Sequence, residues 1–121
     1  MILADTSVWI DHFRNGSNPL ATLLETEKVV MHSFVLGELA CGNLKNRKEI
    51  SALLHALPCA QKAADDEVLF FIERHKLNGR GIGLVDAHLL ASCALGHRLW
   101  TTDKRLRILA EEMDVAYNPE L

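Results

Sequence analysis

Short apolar runs alternate with longer stretches of helical period from one end of the chain to the other, and that rhythm is what most limits the folds open to it. Met1–Ala4, Lys28–Met31 and Arg98–Thr101 have strand length; Leu57–Ala60 is a weaker run interrupted by Pro58, and Val115–Tyr117 is a last short one. Between them the spacing predicts helices over Ser7–Phe13, Asn18–Glu25, Asn46–His55, Ala64–Lys76, Leu84–Gly96 and Lys104–Glu112. A further helix is expected to start at a Ser33 cap and run to Cys41. Asn15-Gly16 reads as a turn and Asn78–Gly83 as a glycine-rich loop. Strand and helix in alternation imply an α/β fold with a mostly parallel central sheet and helices on both faces, since parallel neighbours need a crossover between them. No linker, repeat or low-complexity tract divides the 121 residues, so one domain over 1–121 is expected.

Composition excludes several classes. With 49% hydrophobic and 24% charged residues the chain is neither disordered nor collagen-like. No apolar run approaches the roughly 18 residues of a membrane span, and Met1–Asp5 lacks the basic start of a signal peptide, so a cytoplasmic location without membrane contact is expected. Cys41, Cys59 and Cys93 are widely spaced and read as small buried hydrophobes, not as a disulfide framework. The six histidines show no ligand spacing for zinc. A net charge of −3 and only seven aromatic residues argue against an idle module that holds nucleic acid by bulk charge and stacking. Trp9, Phe13, Phe70 and Phe71 suit a core or a dimer face.

In parallel α/β sheets ligands sit beyond the carboxyl ends of the strands, so the residue next after each strand is the place to look for chemistry. Ile2-Leu3-Ala4 ends in Asp5, and Leu99-Trp100-Thr101-Thr102 ends in Asp103. Each Asp also precedes a helix, where it would serve as an N-cap. Glu38 shares an apolar stripe with Phe34 and Cys41, and Asp86 shares one with Leu90 and Cys93, so both are expected to point inward. A buried carboxylate is costly unless paired, protonated or metal-bound. The nearby cations, Lys45 and Arg80, fall in loops or on polar faces. Four carboxylates at one sheet edge repel one another and require external positive charge; oxygen-only ligands select Mg²⁺ or Mn²⁺. Such a site suits phosphodiester hydrolysis. Removing its four negative charges from the net −3 leaves +1, so Arg47, Lys48, Arg80, Arg98, Lys104, Arg105 and Arg107 could line a path for a polyanion.

The segments Ile2–Asp11, Val35-Leu36-Gly37-Glu38-Leu39, Gly81–Ala91 and Leu99–Asp103 resemble, in order and over essentially the whole chain, the four motifs of the PIN-domain family, and among its members the VapC-type toxins. The resemblance implies a Mg²⁺- or Mn²⁺-dependent endoribonuclease, usually a homodimer, neutralised by a small antitoxin that also binds operator DNA. By motif position Asp5, Glu38, Asp86 and Asp103 would form the acidic site, catalytic and metal-holding at once, with Thr6, Ser7 and Thr102 as polar support. Members often carry a further acid two positions beyond the last Asp; here that place is Arg105. One metal is therefore expected, with a second recruited alongside the RNA. Arg80, Lys104 and Arg105 are the expected RNA path.

Two alternatives bear on other residues. A receiver-type signalling domain would share the length, the parallel sheet and a Mg²⁺ site, with one Asp as phosphoacceptor, but would place its acids after strands and not on helices. Gly79-Arg80-Gly81-Ile82-Gly83 looks like a phosphate cradle, yet it comes after a helix and lacks the Lys-Ser/Thr ending, so it reads as an entrance loop.

Overall fold

Ile2-Leu3-Ala4 is too short to be a stable strand alone and can persist only if neighbours satisfy its backbone on both sides. The computed structural model, which describes residues 1–119, has this segment as the central strand β1 (Ile2–Ala4). Residues 120 and 121 of the domain expected over 1–121 lie outside the described residues. β1 pairs in parallel with β2 (Val29–Val30), Ile2 opposite Val29 and Leu3 opposite Val30. On its other side it pairs in parallel with β3 (Arg98–Trp100), from Ile2 opposite Arg98 to Ala4 opposite Trp100. The order is β2-β1-β3. The two weakest expected strands are single parallel rungs on the outer edges, Met31 with Cys59 and Leu99 with Ala116. Pro58 explains the first: with no N–H to give, it offers only its carbonyl, which accepts from Met31 at 2.7 Å before Ala60 returns the bond.

The helices are α1 (Thr6–Asn15), α2 (Asn18–Glu25), α3 (Ser33–Cys41), α4 (Arg47–Ala56), α5 (Asp65–Arg74), α6 (Leu84–Cys93) and α7 (Lys104–Glu112). From β1 the chain steps outward to β2 and the Cys59 rung, then returns across β1 to β3. Right-handed crossovers therefore place α1 to α4 on one face and α5 to α7 on the other. The packing of α1 on α3 and of α5 on α6 agrees with that division. Leu3, Val29 and Leu99 are 0–1% exposed, as a sheet covered on both faces requires.

Several boundaries differ from those the spacing predicts, for local reasons. α5 and α6 stop short of Lys76 and Gly96 because those residues adopt φ of 54° and 120°, outside the helical range. The cap of α3 is not Ser33 but His32, whose Nδ1 accepts the Phe34 N–H at 3.0 Å. Cys41 and Cys59 are exposed, contrary to expectation, because one ends α3 past its last buried residue, Leu39, and the other lies on the sheet's outer rung. Only Cys93 is buried, and burial pushes its thiol up to about 12. Trp9 is in the core, whereas Phe70 is 65% exposed.

Candidate active site

The strand order reverses at β1, so the crevice between the carboxyl ends of β1 and β3 is where a ligand of such a sheet would sit. Asp5 comes directly after β1 and Asp103 after β3, one on each side of it. Both are helix caps as well: Asp5 Oδ1 accepts from Val8 N at 3.2 Å and Asp103 Oδ1 from Leu106 N at 3.0 Å. Capping and site membership are compatible, since each cap uses one face of the carboxylate. Asp86, in the first turn of α6, reaches back to Gly83 N at 3.4 Å. Three helix N-termini, those of α1, α6 and α7, thus begin at the acidic residues, and their partial positive charge offsets part of the repulsion.

The four acids differ in burial. Asp5 is 6% exposed, Asp86 is half-buried, and Glu38 and Asp103 are exposed. The inward orientation expected for Glu38 is thus wrong: α3 buries Val35 and Leu39, and Glu38 lies beside that pair on the outer side. Its Oε1 accepts from Thr6 Oγ1 at 2.7 Å, which holds α3 to the start of α1. Burial raises Asp5 above the ordinary carboxylate value, against the bonds it accepts from Ser7, Thr101 and Val8. Burial raises Asp86 too, and the charges of Asp103, Asp5 and Glu38 add to it, so all four acids share one electrostatic neighbourhood. None has a cationic partner: among the described residues the one ion pair is Arg80 with Glu112. That removes the buried ion pair as an explanation for these carboxylates.

Of the expected polar support, Thr6 and Ser7 take part through their side chains; Ser7 Oγ donates to Asp5 Oδ1. Thr102 contributes its backbone, whose N–H donates to Ser7 Oγ at 3.3 Å, while its side chain is exposed. The buried hydroxyl belongs to Thr101, which donates to Asp5 Oδ2 and accepts the Asp103 N–H at 3.0 Å. Thr101 is absent from the residues expected at the site. Strand register would have found it, because Ala4 opposite Trp100 sets Asp5 opposite Thr101. Thr101→Val is expected to destabilise the protein by about 1–3 kcal/mol, the cost of leaving the buried Asp5 Oδ2 and the part-buried Asp103 N–H without this partner. An unchanged denaturant midpoint would show that Asp5 does not depend on it.

The expected cationic path is divided. Arg80 is engaged, its guanidinium binding both Glu112 oxygens at 3.0 and 2.9 Å and pinning the glycine loop to α7. Arg47 donates to the carbonyls of Gly42 and Ala40 at the end of α3, and Arg98 to that of Ala116. Lys104 and Arg105 are exposed beside Asp103 and free of ion pairs among the described residues. Gly81, at φ +83°, is where Arg105 packs: a Cβ there would stand 2.8 Å from Arg105 Cδ.

The donor set suits a hard divalent cation. All four acids offer oxygen, and Asp86 Oδ1, Glu38 Oε2 and Asp103 Oδ2 have no hydrogen-bond partner among the described residues. No three acidic, His or Cys side chains are gathered at ligating spacing among the described residues, so the four carboxylates do not form a closed cage and an ion would have to draw them together. An open site leaves coordination positions for substrate and water.

A family model for the PIN domain matches residues 2–112. Two curated relatives, each named Ribonuclease VapC32, come from Mycobacterium tuberculosis strains CDC 1551 / Oshkosh and ATCC 25618 / H37Rv. Each is 46% identical to this chain over 123 residues, covering 100% of it and 99% of the relative. The receiver-type alternative is thereby overturned, in keeping with two of the four acids lying on the helices α3 and α6. The family match spans nearly the whole length of the chain, and the chain belongs to the PIN-domain family.

Proposed function

We propose that this chain is the toxin of a toxin–antitoxin pair and acts in the cytoplasm as a Mg²⁺- or Mn²⁺-dependent endoribonuclease. The observation that carries this reading is Asp86, half-buried under the charges of three other carboxylates with no cation beside them, in a chain related along its whole length to proteins named ribonucleases. Asp5, Glu38, Asp86 and Asp103 would hold one ion, with room for a second recruited with RNA. A divalent ion bound there supplies an activated water and neutralises charge building on the phosphodiester. Ser7 and Thr101 fix the orientation of Asp5, and Thr6 that of Glu38. The N-termini of α1, α6 and α7, with Lys104 and Arg105, favour an RNA phosphate at the crevice. His32 and His88 do not serve as bases, since both are 0–1% exposed and out of reach of RNA.

The same chemistry points to two partners. A crevice of four carboxylates accepts a guanidinium as readily as a metal, so the antitoxin would inhibit by placing an Arg there while binding operator DNA through its other end. A second copy of the chain suits α5, which exposes Leu69 and Phe70 beside an open groove of about 500 Å³ lined also by Phe71 and Leu95. α5 is acidic in its first turn and basic at its end, so two antiparallel copies would pair opposite charges about a two-fold axis.

The test is to incubate the purified protein with an end-labelled RNA and a DNA of the same sequence in Mg²⁺. Internal cuts in the RNA alone are expected, with new 5′ ends mapping to defined positions. Equal cutting of both strands, or shortening only from the termini, would contradict an endoribonuclease.

A further inference from the structure

His32 is an unusual helix cap: it is completely buried, and its ring faces the other helix that carries a site carboxylate. Because Nδ1 accepts the Phe34 N–H at 3.0 Å, the neutral ring carries its proton on Nε2. That Nε2 and the Nδ1 of His88 are both buried without a partner among the described residues, one a donor and the other able to accept. The two rings lie edge to face with centroids 6.4 Å apart. Phe34 closes the triangle, 5.5 Å from His32 and edge to face with His88 at 4.6 Å. The Lys62 ammonium covers the Phe34 ring at 4.5 Å.

His32 and Phe34 begin α3, the helix of Glu38, while His88 lies two residues past Asp86 on α6. The rings of His32 and Phe34 against that of His88 therefore join the start of α3 to α6, the two helices that carry these carboxylates. We propose that His32 is a positioning residue that, through Phe34 and His88, sets the separation of Glu38 from Asp86. The proposal rests on the reading that these two carboxylates share a divalent ion. A ring wedged between the helices resists the approach or spreading that repulsion between the acids would otherwise drive, and it fixes how far the ion must draw them.

The test separates the cap from the wedge. His32→Asn keeps a strong N-cap acceptor and removes the ring; Phe34→Leu keeps apolar bulk and removes the edge contact with His88. Mn²⁺ affinity of the full chain is measured by calorimetry alongside thermal melting, with Leu23→Ala on α2 as a destabilised control outside both helices and outside the ring contacts. His32→Asn is expected to weaken Mn²⁺ binding about tenfold and Phe34→Leu about threefold, while Leu23→Ala melts lower yet binds as the wild type does. Unchanged affinity in both wedge variants, whatever their melting temperatures, would overturn the positioning role while leaving the metal site intact. Failure of the wild type itself to bind Mn²⁺, or binding retained in Asp86→Asn, would overturn the metal reading and this proposal with it.

Discussion

Asp86→Asn is expected to lower the rate of RNA cleavage by about 10³-fold or more and at the same time to raise the melting temperature of the metal-free protein. The loss of activity comes from removing a charge that the other three acids cannot replace, a transition-state cost of roughly 4 kcal/mol for that factor. The gain in stability comes from the physical cause of its raised pKa: burial first, then the charges of Asp103, Asp5 and Glu38. An amide of the same shape escapes both. Asp5→Asn should lose as much activity but melt lower than Asp86→Asn, because both Asp5 oxygens accept bonds from Ser7, Val8 and Thr101, and a side-chain amide has only one acceptor oxygen. Parallel melting curves and single-turnover cleavage decide it. An Asp86→Asn variant that cuts RNA at the wild-type rate would remove Asp86 from the site.

A saturating divalent ion is expected to raise the melting temperature by roughly 10 °C at pH 7, and by much less at pH 5. At a free concentration of one hundred times its dissociation constant, a ligand specific to the folded state stabilises by about 2.7 kcal/mol, which for a domain of this size is a shift of that order. The pH dependence comes from the carboxyls. Asp5 and Asp86 are raised above 3.8 in the fold, so their contribution to metal-free stability is fully present below that value and is lost as pH rises through their folded values. His32 acts oppositely: burial lowers it from 6.5 to about 4, so its contribution is present above pH 6.5 and is lost as pH falls toward 4. Metal binding requires ionised carboxylates and therefore strengthens with pH, where the metal-free site is least comfortable. Melting with and without Mn²⁺ across pH 5 to 7 measures both limbs. A shift of equal size at every pH would place the ion away from these acids.

Which of these features could be read from residues alone depended on how local their causes are. Asp5 and Asp103 were legible because a strand end and a helix cap are both properties of a few consecutive residues. Asp86 was legible because α6 buries residues Ala87 through Cys93 almost continuously, which makes an acid at its start conspicuous. The outward orientation of Glu38 was not legible, since α3 is apolar on most sides and periodicity cannot say which side meets the sheet. Thr101 was hidden behind Thr102 because the choice between them is made by register against β1, a pairing ninety-six residues apart in sequence. The ion pair of Arg80 was not legible because its partner, Glu112, lies thirty-two residues away on another helix. The short outer strands were half legible: their positions were right, but Pro58 and the chain's turn away after one rung leave each a single bridge.

If an acidic crevice in this chain cuts RNA through a divalent ion, cleavage must be lost and regained with that ion, and an add-back experiment tests this most directly. Wild-type protein and Asp86→Asn are stripped with chelator, given an end-labelled RNA, and then supplied with Mg²⁺ or Mn²⁺. No internal cleavage is expected from either stripped protein, and recovery is expected in the wild type alone when the ion returns. Internal cleavage by the stripped wild type, or equal recovery in Asp86→Asn, would contradict metal-dependent cutting at these carboxylates.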